Sequence, residues 1–221
     1  MPLWAVHLSD GVLSTPYLVL GFVGAGVLVG VSLRGVADDE IPRIGLLTAA
    51  FFVASLIHVK VGITSVHLLL NGLVGAMLGW RAPLALAVAL ALQALLLGHG
   101  GYTTLGLNVV IMALPALASW AVFRWLCGRS QALAVRAFWG GLVVGAMAVV
   151  LTAVLYAAVL LAAGVEDFRL VASLGFVAHL PLAGIEAVIT ATTCASIARA
   201  RPQLLATAGN NRPVTPPPES V

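Results

Sequence analysis

The sequence predicts an all-α fold, a polytopic membrane bundle of seven transmembrane helices with its N-terminus outside and its C-terminus cytoplasmic. Three observations lead there. The first is composition: 61% of the 221 residues are hydrophobic and 9% are charged, with a mean hydropathy of +1.09. A soluble domain carries roughly 25% charged residues, because its surface faces water. Eleven Lys and Arg with eight Asp and Glu cannot coat a globule of this length, so lipid must solvate most of the surface. The second is the recurrence of apolar runs of transmembrane length between polar or Gly/Pro-marked breaks. The third is the concentration of cations in alternate breaks.

The runs cover about 15–33, 42–59, 66–80, 83–98, 105–126, 137–163 and 171–198. Pro16, Pro42 and Pro83 stand at or near the first helical position of their runs, where a missing N–H costs little. The stretch Met1–His7 lacks the basic segment of a secretory signal, so the first run is expected to be a retained helix. Residues 1–14 then form an extracytoplasmic segment and residues 15–198 the membrane domain. Residues 199–221 form a cytoplasmic tail that is too proline-rich and polar to bury a core, and so is expected to be disordered. The third and fourth runs are short for a ~30 Å hydrocarbon core at ~1.5 Å per residue. Their connections are expected to dip into the bundle, where protein covers the backbone. The pairs Gly26/Gly30, Gly75/Gly79 and Gly141/Gly145 are expected to let helices approach closely.

With the N-terminus outside, the inner side holds Arg34, Arg43, Arg81, Arg124, Arg129, Arg136, Arg199, Arg201 and Arg212. The outer side holds Lys60 and Arg169. Such a bias follows the positive-inside rule and requires an odd helix count. The net charge of +3 is too small and too scattered for a nucleic-acid surface. Cys127 and Cys194 form no Cys-x-x-Cys and no disulfide framework. Enzyme signatures such as His-Glu-x-x-His and Gly-x-Ser-x-Gly are missing, and Gly98-His99-Gly100-Gly101 lacks the Lys-Ser/Thr of a phosphate loop. No enzymatic activity is expected, and any energy from ATP must enter through another chain.

This orientation sends all five histidines toward the outer face. His7 precedes the first helix, His58 ends the second, His67 opens the third and His99 follows the fourth. His179 lies about two turns into the last. Imidazole is the usual nitrogen ligand of nickel, cobalt, copper and zinc, and His58 and His67 face each other across a tight turn. Taken singly, each histidine reads as a hydrogen-bonded interfacial residue. Glu186, near the middle of the last helix, shares a face with His179 and Thr190. Its carboxyl group either hydrogen-bonds a neighbouring helix or serves as a proton relay in transport. Gln93 and Asn71 are expected to hydrogen-bond between helices.

Four motifs resemble one family, the metal-specific membrane subunits of energy-coupling-factor cobalt and nickel importers (the CbiM/NikM type). They are His7-Leu8-Ser9-Asp10-Gly11; Thr64-Ser65-Val66-His67-Leu68-Leu69-Leu70-Asn71-Gly72; the segment Gln93 to Asn108 through Gly98-His99-Gly100-Gly101; and Pro181-Leu182-Ala183-Gly184-Ile185-Glu186. They occur in family order from about residue 7 to 197. The resemblance implies a nickel- or cobalt-binding transport subunit of a bacterial or archaeal inner membrane. It also implies ATPase subunits and a coupling membrane subunit in separate chains, a small accessory membrane subunit, and no tightly bound cofactor besides the transported ion. His7 and His67 would be metal ligands, while Asn71, Asn108 and Ser65 would orient the rings.

One departure stands out. The family's histidine directly follows the initiator methionine, whose α-amine joins the chelate, whereas Met1–Ala5 precede Val6-His7 here. Three arrangements remain: residues 1–5 are removed, another donor such as His58 replaces the amine, or the site takes a different ligand or none. Outside this family, the alternatives are a stand-alone proton-coupled ion or small-solute carrier using Glu186, and an intramembrane metal-dependent enzyme.

Overall fold

A computed structural model describes residues 7–61, 64–128 and 133–205, with only the backbone described at 58–61 and 64–65. Its helices are α1 (Thr15–Leu33), α2 (Ile41–Ala54), α3 (Asn71–Leu78), α4 (Ala82–Leu92), α5 (Leu105–Cys127), α6 (Leu133–Ala163) and α7 (Arg169–Ala200). A hairpin of β1 (His58–Val61) and β2 (Thr64–His67) lies between α2 and α3. Pro16, Pro42 and Pro83 occupy the opening turns of α1, α2 and α4. Five helical stretches among the described residues are long and apolar enough to cross a membrane: α1, α5, α6, α7, and Asn71–Leu97 taken as a whole.

Seven separate spans were therefore too many by this measure. Residues 66–80 and 83–98 do not make two full-length helices. They make α3 of eight residues and α4 of eleven, joined by a 3-10 turn at Gly79–Arg81 and followed by a π-helical turn at Gln93–Leu97. Gly79 takes φ 60°, a left-handed value that costs glycine little. The second expected helix, 42–59, stops at Ala54. The run after it is β-branched (Val59, Val61, Thr64, Val66) and pairs as strands instead. His58 and His67 thus sit opposite each other in a hairpin register, not at the ends of two helices.

Two ends of the bundle can be distinguished by their contacts. At one end, Ser14 N–H donates to the Ala163 carbonyl at 3.0 Å and Val165 N–H to the Val12 carbonyl at 3.0 Å. At the other end, Arg81 gathers the end of α1. Its Nη1 donates to the carbonyls of Ser32 (2.7 Å) and Arg34 (2.8 Å), and its Nη2 to Gly35 O (2.5 Å) and Glu40 Oε2 (2.8 Å). That hydrogen-bonded pairing holds the Glu40 carboxyl below its ordinary range. Arg43 reaches the carbonyl of Leu204 at the same end, at 3.4 Å. We call these the histidine end and the arginine end.

α3 starts in the interior, with Asn71 Nδ2 2.8 Å from Thr152 Oγ1 of α6 and 3.3 Å from the Met112 carbonyl of α5. Asn71 is thus interhelical, as expected from the sequence. α3 then runs to the arginine end, and α4 returns to the histidine end.

Glycines set the closest approaches. A Cβ at Gly141 would lie 2.7 Å from Ala191 Cα, and one at Gly145 2.7 Å from the Glu186 carbonyl, so α6 and α7 pack backbone to backbone. Gly75 faces the Ala116 carbonyl of α5. Gly26 and Gly30 meet nothing within 4 Å among the described residues; on α1 it is Gly21 that approaches α5, at Leu107. α7 continues to Ala200, a 3-10 turn follows at Pro202–Leu204, and Leu205 is buried. Residues 206–221 of the expected tail lie outside the described residues.

Candidate metal centre

The N-terminal segment is held inside the histidine end by the loop before α5 and by the first turn of α5. Leu8 N–H donates to Asn108 Oδ1 at 2.9 Å, and Asn108 Nδ2 donates back to the Leu8 carbonyl at 3.0 Å. Thr104 Oγ1 adds a bond to the same carbonyl at 2.6 Å. Two residues on, the Asp10 carboxylate accepts the N–H groups of Tyr102 (3.1 Å) and Thr103 (2.8 Å) and the Thr103 hydroxyl (2.5 Å). Burial would raise the Asp10 pKa, but these donors outweigh it and hold the carboxyl below its ordinary value.

Gly98 and Gly100 adopt φ 64° and 76°. A Cβ at Gly101 would lie 2.6 Å from Asp10 N. The glycine-rich loop is therefore a cradle for residues 7–10, which explains a motif that resembles a phosphate loop but lacks its lysine.

This clamp buries His7, 3% exposed, against His67, 1% exposed. Their ring centroids are 5.0 Å apart with planes at 19°, and His99 also stacks with His67, at 6.0 Å and 2°. His67 Nδ1 lies 2.9 Å from the Leu68 carbonyl, which can only accept, so that nitrogen carries the proton. Both ring nitrogens of His7 are buried without a hydrogen-bond partner among the described residues. Burial pushes the His7 pKa well below its ordinary value, and the charges of His67, His99 and His179 act in the same direction. The His7 ring is thus neutral and able to offer a lone pair. The rings are stacked and do not yet surround a common point: among the described residues no three His, Cys, Asp or Glu groups stand in a metal-holding arrangement.

Residues 68–70 carry non-helical backbone into the interior of the bundle, where every N–H needs an acceptor. Glu186 of α7 supplies it. Its two carboxylate oxygens accept the N–H groups of Leu69 and of Leu70, the latter at 2.8 Å. Leu70 holds φ 49°, a left-handed value costing a branched residue roughly 1–2 kcal/mol. The carboxylate thereby fixes the link between His67 and α3, and both oxygens are engaged in that task.

The expected site residues fall into three groups. His7, His67 and Asn108 converge, with Asn108 acting on the backbone beside His7. Asn71 is turned toward α5 and α6. The side chains of His58 and Ser65 lie outside the described residues, although the Cα of His58 pairs with that of His67. Gln93, expected between helices, has no side-chain hydrogen-bond partner among the described residues. Reasoning from sequence had placed His99 and His179 at this end without assigning them to the site; the structure brings His99 onto His67.

These features define a multi-pass membrane protein with a buried imidazole cluster at one end of its helices. The chain belongs to the family described as the cobalt uptake substrate-specific transmembrane region, whose model matches residues 7–204.

It is 36% identical to a Haemophilus influenzae protein provisionally described as a metal transport protein, over 90% of this chain and 97% of that one. It is 32% identical to the cobalt transport protein CbiM of Geobacter sulfurreducens over 94% of this chain, and spans 64% of that longer protein. The fused nickel transport protein NikMN of Rhodobacter capsulatus is 29% identical over 91% of this chain and 64% of its own length. The fold matches the crystal structure of a truncated transition metal transporter with a TM-score of 0.70 at 25% identity, over 88% of this chain and 99% of that one. The chain is therefore a membrane protein of a cobalt- and nickel-transport family.

Proposed function

We propose that this chain is the metal-specific membrane component of an energy-coupling-factor importer for nickel or cobalt in a bacterial or archaeal inner membrane. The observation that carries the proposal is the His7–His67 pair, two buried imidazoles 5.0 Å apart on a segment clamped by Asn108 and Asp10. Imidazole nitrogens suit late first-row dications and offer little to magnesium or calcium. His7 and His67 are the ligands, with His58 a further donor from the hairpin and Ser65 a neighbour able to orient His67. The histidine end faces outward. Arg34, Arg43, Arg81, Arg124, Arg136, Arg199 and Arg201 face the cytoplasm, as the positive-inside rule asks. In this topology α3 runs inward and α4 returns, so the pair keeps the parity of a seven-span count, and the C-terminus is cytoplasmic.

The chain carries no nucleotide-binding motif, so ATPase subunits and a coupling membrane subunit, with a small accessory membrane subunit, supply the energy. The test is calorimetric titration of the detergent-purified chain with Ni2+ and Co2+, joined to uptake assays with and without co-expressed ATPases. Saturable binding that His7→Ala and His67→Ala each weaken, together with ATPase-dependent uptake, is the expected outcome. Absence of binding for both ions overturns the proposal.

A further inference from the structure

Arg124, Arg129 and Arg136 stand close together in the chain around the turn from α5 to α6, and no Asp or Glu occurs between Glu40 and Glu166. The ion pairs among the described residues, Arg81–Glu40 and Arg169–Asp167, involve neither Arg124 nor Arg136. At the arginine end Glu40 is committed to Arg81, and the other described carboxylates there, Asp38 and Asp39, stand in the turn between α1 and α2. Arg124 is exposed at the end of α5, so its counter-charge has to come from outside the chain.

Trp120, Ala121, Arg124 and Trp125 line a groove of about 310 Å³ on the surface of α5. Their spacing puts them on one face of its last two turns, with the small Ala121 between two indoles. The Arg124 guanidinium carbon lies 5.8 Å from the Trp120 ring centroid, within the ~6 Å reach of a cation–π contact. Trp125 is 80% exposed, and Trp139, near the start of α6, is 61% exposed. The 23 residues of α5 make a helix of about 34 Å against a hydrocarbon core of ~30 Å. Its last turns therefore emerge at the level of the phospholipid headgroups, where tryptophan is enriched. Leu114, two turns deeper than Ala121 on the same face, is also exposed and continues the apolar surface toward the core.

We propose that this groove binds an anionic phospholipid of the leaflet at the arginine end, with Arg124 on the headgroup phosphate and Trp120 and Trp125 against its glycerol and upper acyl chain. The site lies beyond the importer function and does not depend on it. A guanidinium presents a planar fork of donors that matches two phosphate oxygens. Arg136, which donates to the Leu126 carbonyl at 3.4 Å, adds positive charge at the same helix end. A zwitterionic lipid brings its own cation to the groove, where the two arginines repel it. A lipid of net negative charge, such as phosphatidylglycerol, is attracted by both.

The experiment reconstitutes the full chain in mixed vesicles of phosphatidylcholine and phosphatidylglycerol, with brominated acyl chains on one lipid or the other, and reads tryptophan quenching. At equal mole fraction, brominated phosphatidylglycerol should quench more strongly. Trp125→Phe should remove part of that selective quenching, which assigns it to the groove. Arg124→Gln should lower the preference for phosphatidylglycerol about fivefold, the effect of one cation near an anionic surface. Arg124→Lys should keep part of the preference, and Arg199→Gln, at the same end but outside the groove, should keep all of it. Thermal unfolding checks that each variant is folded. Equal quenching by the two lipids in the wild type overturns the inference and leaves the groove to a protein partner. An equal loss in Arg124→Gln and Arg199→Gln overturns it in favour of diffuse surface charge, and unchanged selectivity in Trp125→Phe places the lipid elsewhere and overturns it too. If inorganic phosphate abolishes the preference, the groove is a free-anion site and not a lipid site.

Discussion

The side-chain amide of Asn108 pairs with the backbone of Leu8 in both directions, at 2.9 and 3.0 Å, as one strand pairs with the next. Asn108 is thereby the contact that places His7, the residue before Leu8, against His67. A side chain that stands in for a strand partner leaves a buried N–H and a buried carbonyl unpaired when it is removed, although Thr104 retains one bond to that carbonyl.

Asn108→Ala should lower Ni2+ or Co2+ affinity by about 10–100-fold, the range seen when a group that orients a metal ligand is lost. The bundle itself should change little, because the bonds lost belong to the segment before α1. Calorimetric titration alongside thermal unfolding separates the two effects. A drop in melting temperature with unchanged affinity would show that Asn108 supports the fold and not the site.

Gly101→Ala and strong acid should release the same segment by different routes. The alanine Cβ would fall on Asp10, displacing it from the Thr103 and Tyr102 amides. Protonating Asp10 removes the charge those amides hold. Because the folded pKa of Asp10 is lowered, its contribution is complete above the ordinary carboxyl value near ~3.9 and is lost as pH falls through the lower folded value. Hydrogen exchange over residues 7–14 should rise in Gly101→Ala at neutral pH. In the wild type it should rise only below that range.

Arg81→Ala should destabilise the bundle by about 3–5 kcal/mol, the cost of breaking a buried charged pair by removing one partner. The side chain of Arg81 is 5% exposed and that of Glu40 26%, so most of the loss comes from the carbonyls of Ser32, Arg34 and Gly35. Arg81→Lys should recover only part of it, since one ammonium cannot fork across three carbonyls and a carboxylate. Thermal unfolding in detergent should rank wild type above Arg81→Lys above Arg81→Ala.

What the sequence made legible was governed by composition and by side. Hydropathy announced the long helices α1, α5, α6 and α7, and the arginine bias gathered the histidines toward one end. Illegible were the places where tertiary contact overrides local pattern. The run from Leu68 to Leu70 has the apolarity of a helix, yet it enters the bundle non-helical, because Glu186, 116 residues away from Leu70, supplies the acceptors that a helix would otherwise provide. The apolar run from 42 carried helix past Ala54 on hydropathy alone, although its β-branched end pairs as a hairpin. The closeness of His99 to His67 depends on a loop whose left-handed glycines could be seen in the sequence, but whose partner, the N-terminal segment, could not. Gln93 shows the opposite failure: a polar residue in an apolar helix was expected to bond between helices, and its side chain finds no partner among the described residues.

Glu186 offers the sharpest test of whether the link 68–70 is built for the site or merely tolerated. Glu186→Gln replaces one accepting oxygen with a donating amide, so one of the Leu69 and Leu70 N–H groups faces a donor. The expected loss is about 1–3 kcal/mol, the cost of one unsatisfied buried group. Glu186→Ala leaves both N–H groups unpaired and should cost more. Because His67 precedes this link, both substitutions should also weaken metal binding, with Glu186→Ala the weaker binder. A carboxylate acting as a free proton relay predicts a different pattern, in which Glu186→Gln binds the ion normally and fails only in uptake driven by a proton gradient. Measuring melting temperature, Co2+ affinity and uptake on the same two variants distinguishes an anchor, which loses stability and affinity together, from a relay, which loses neither.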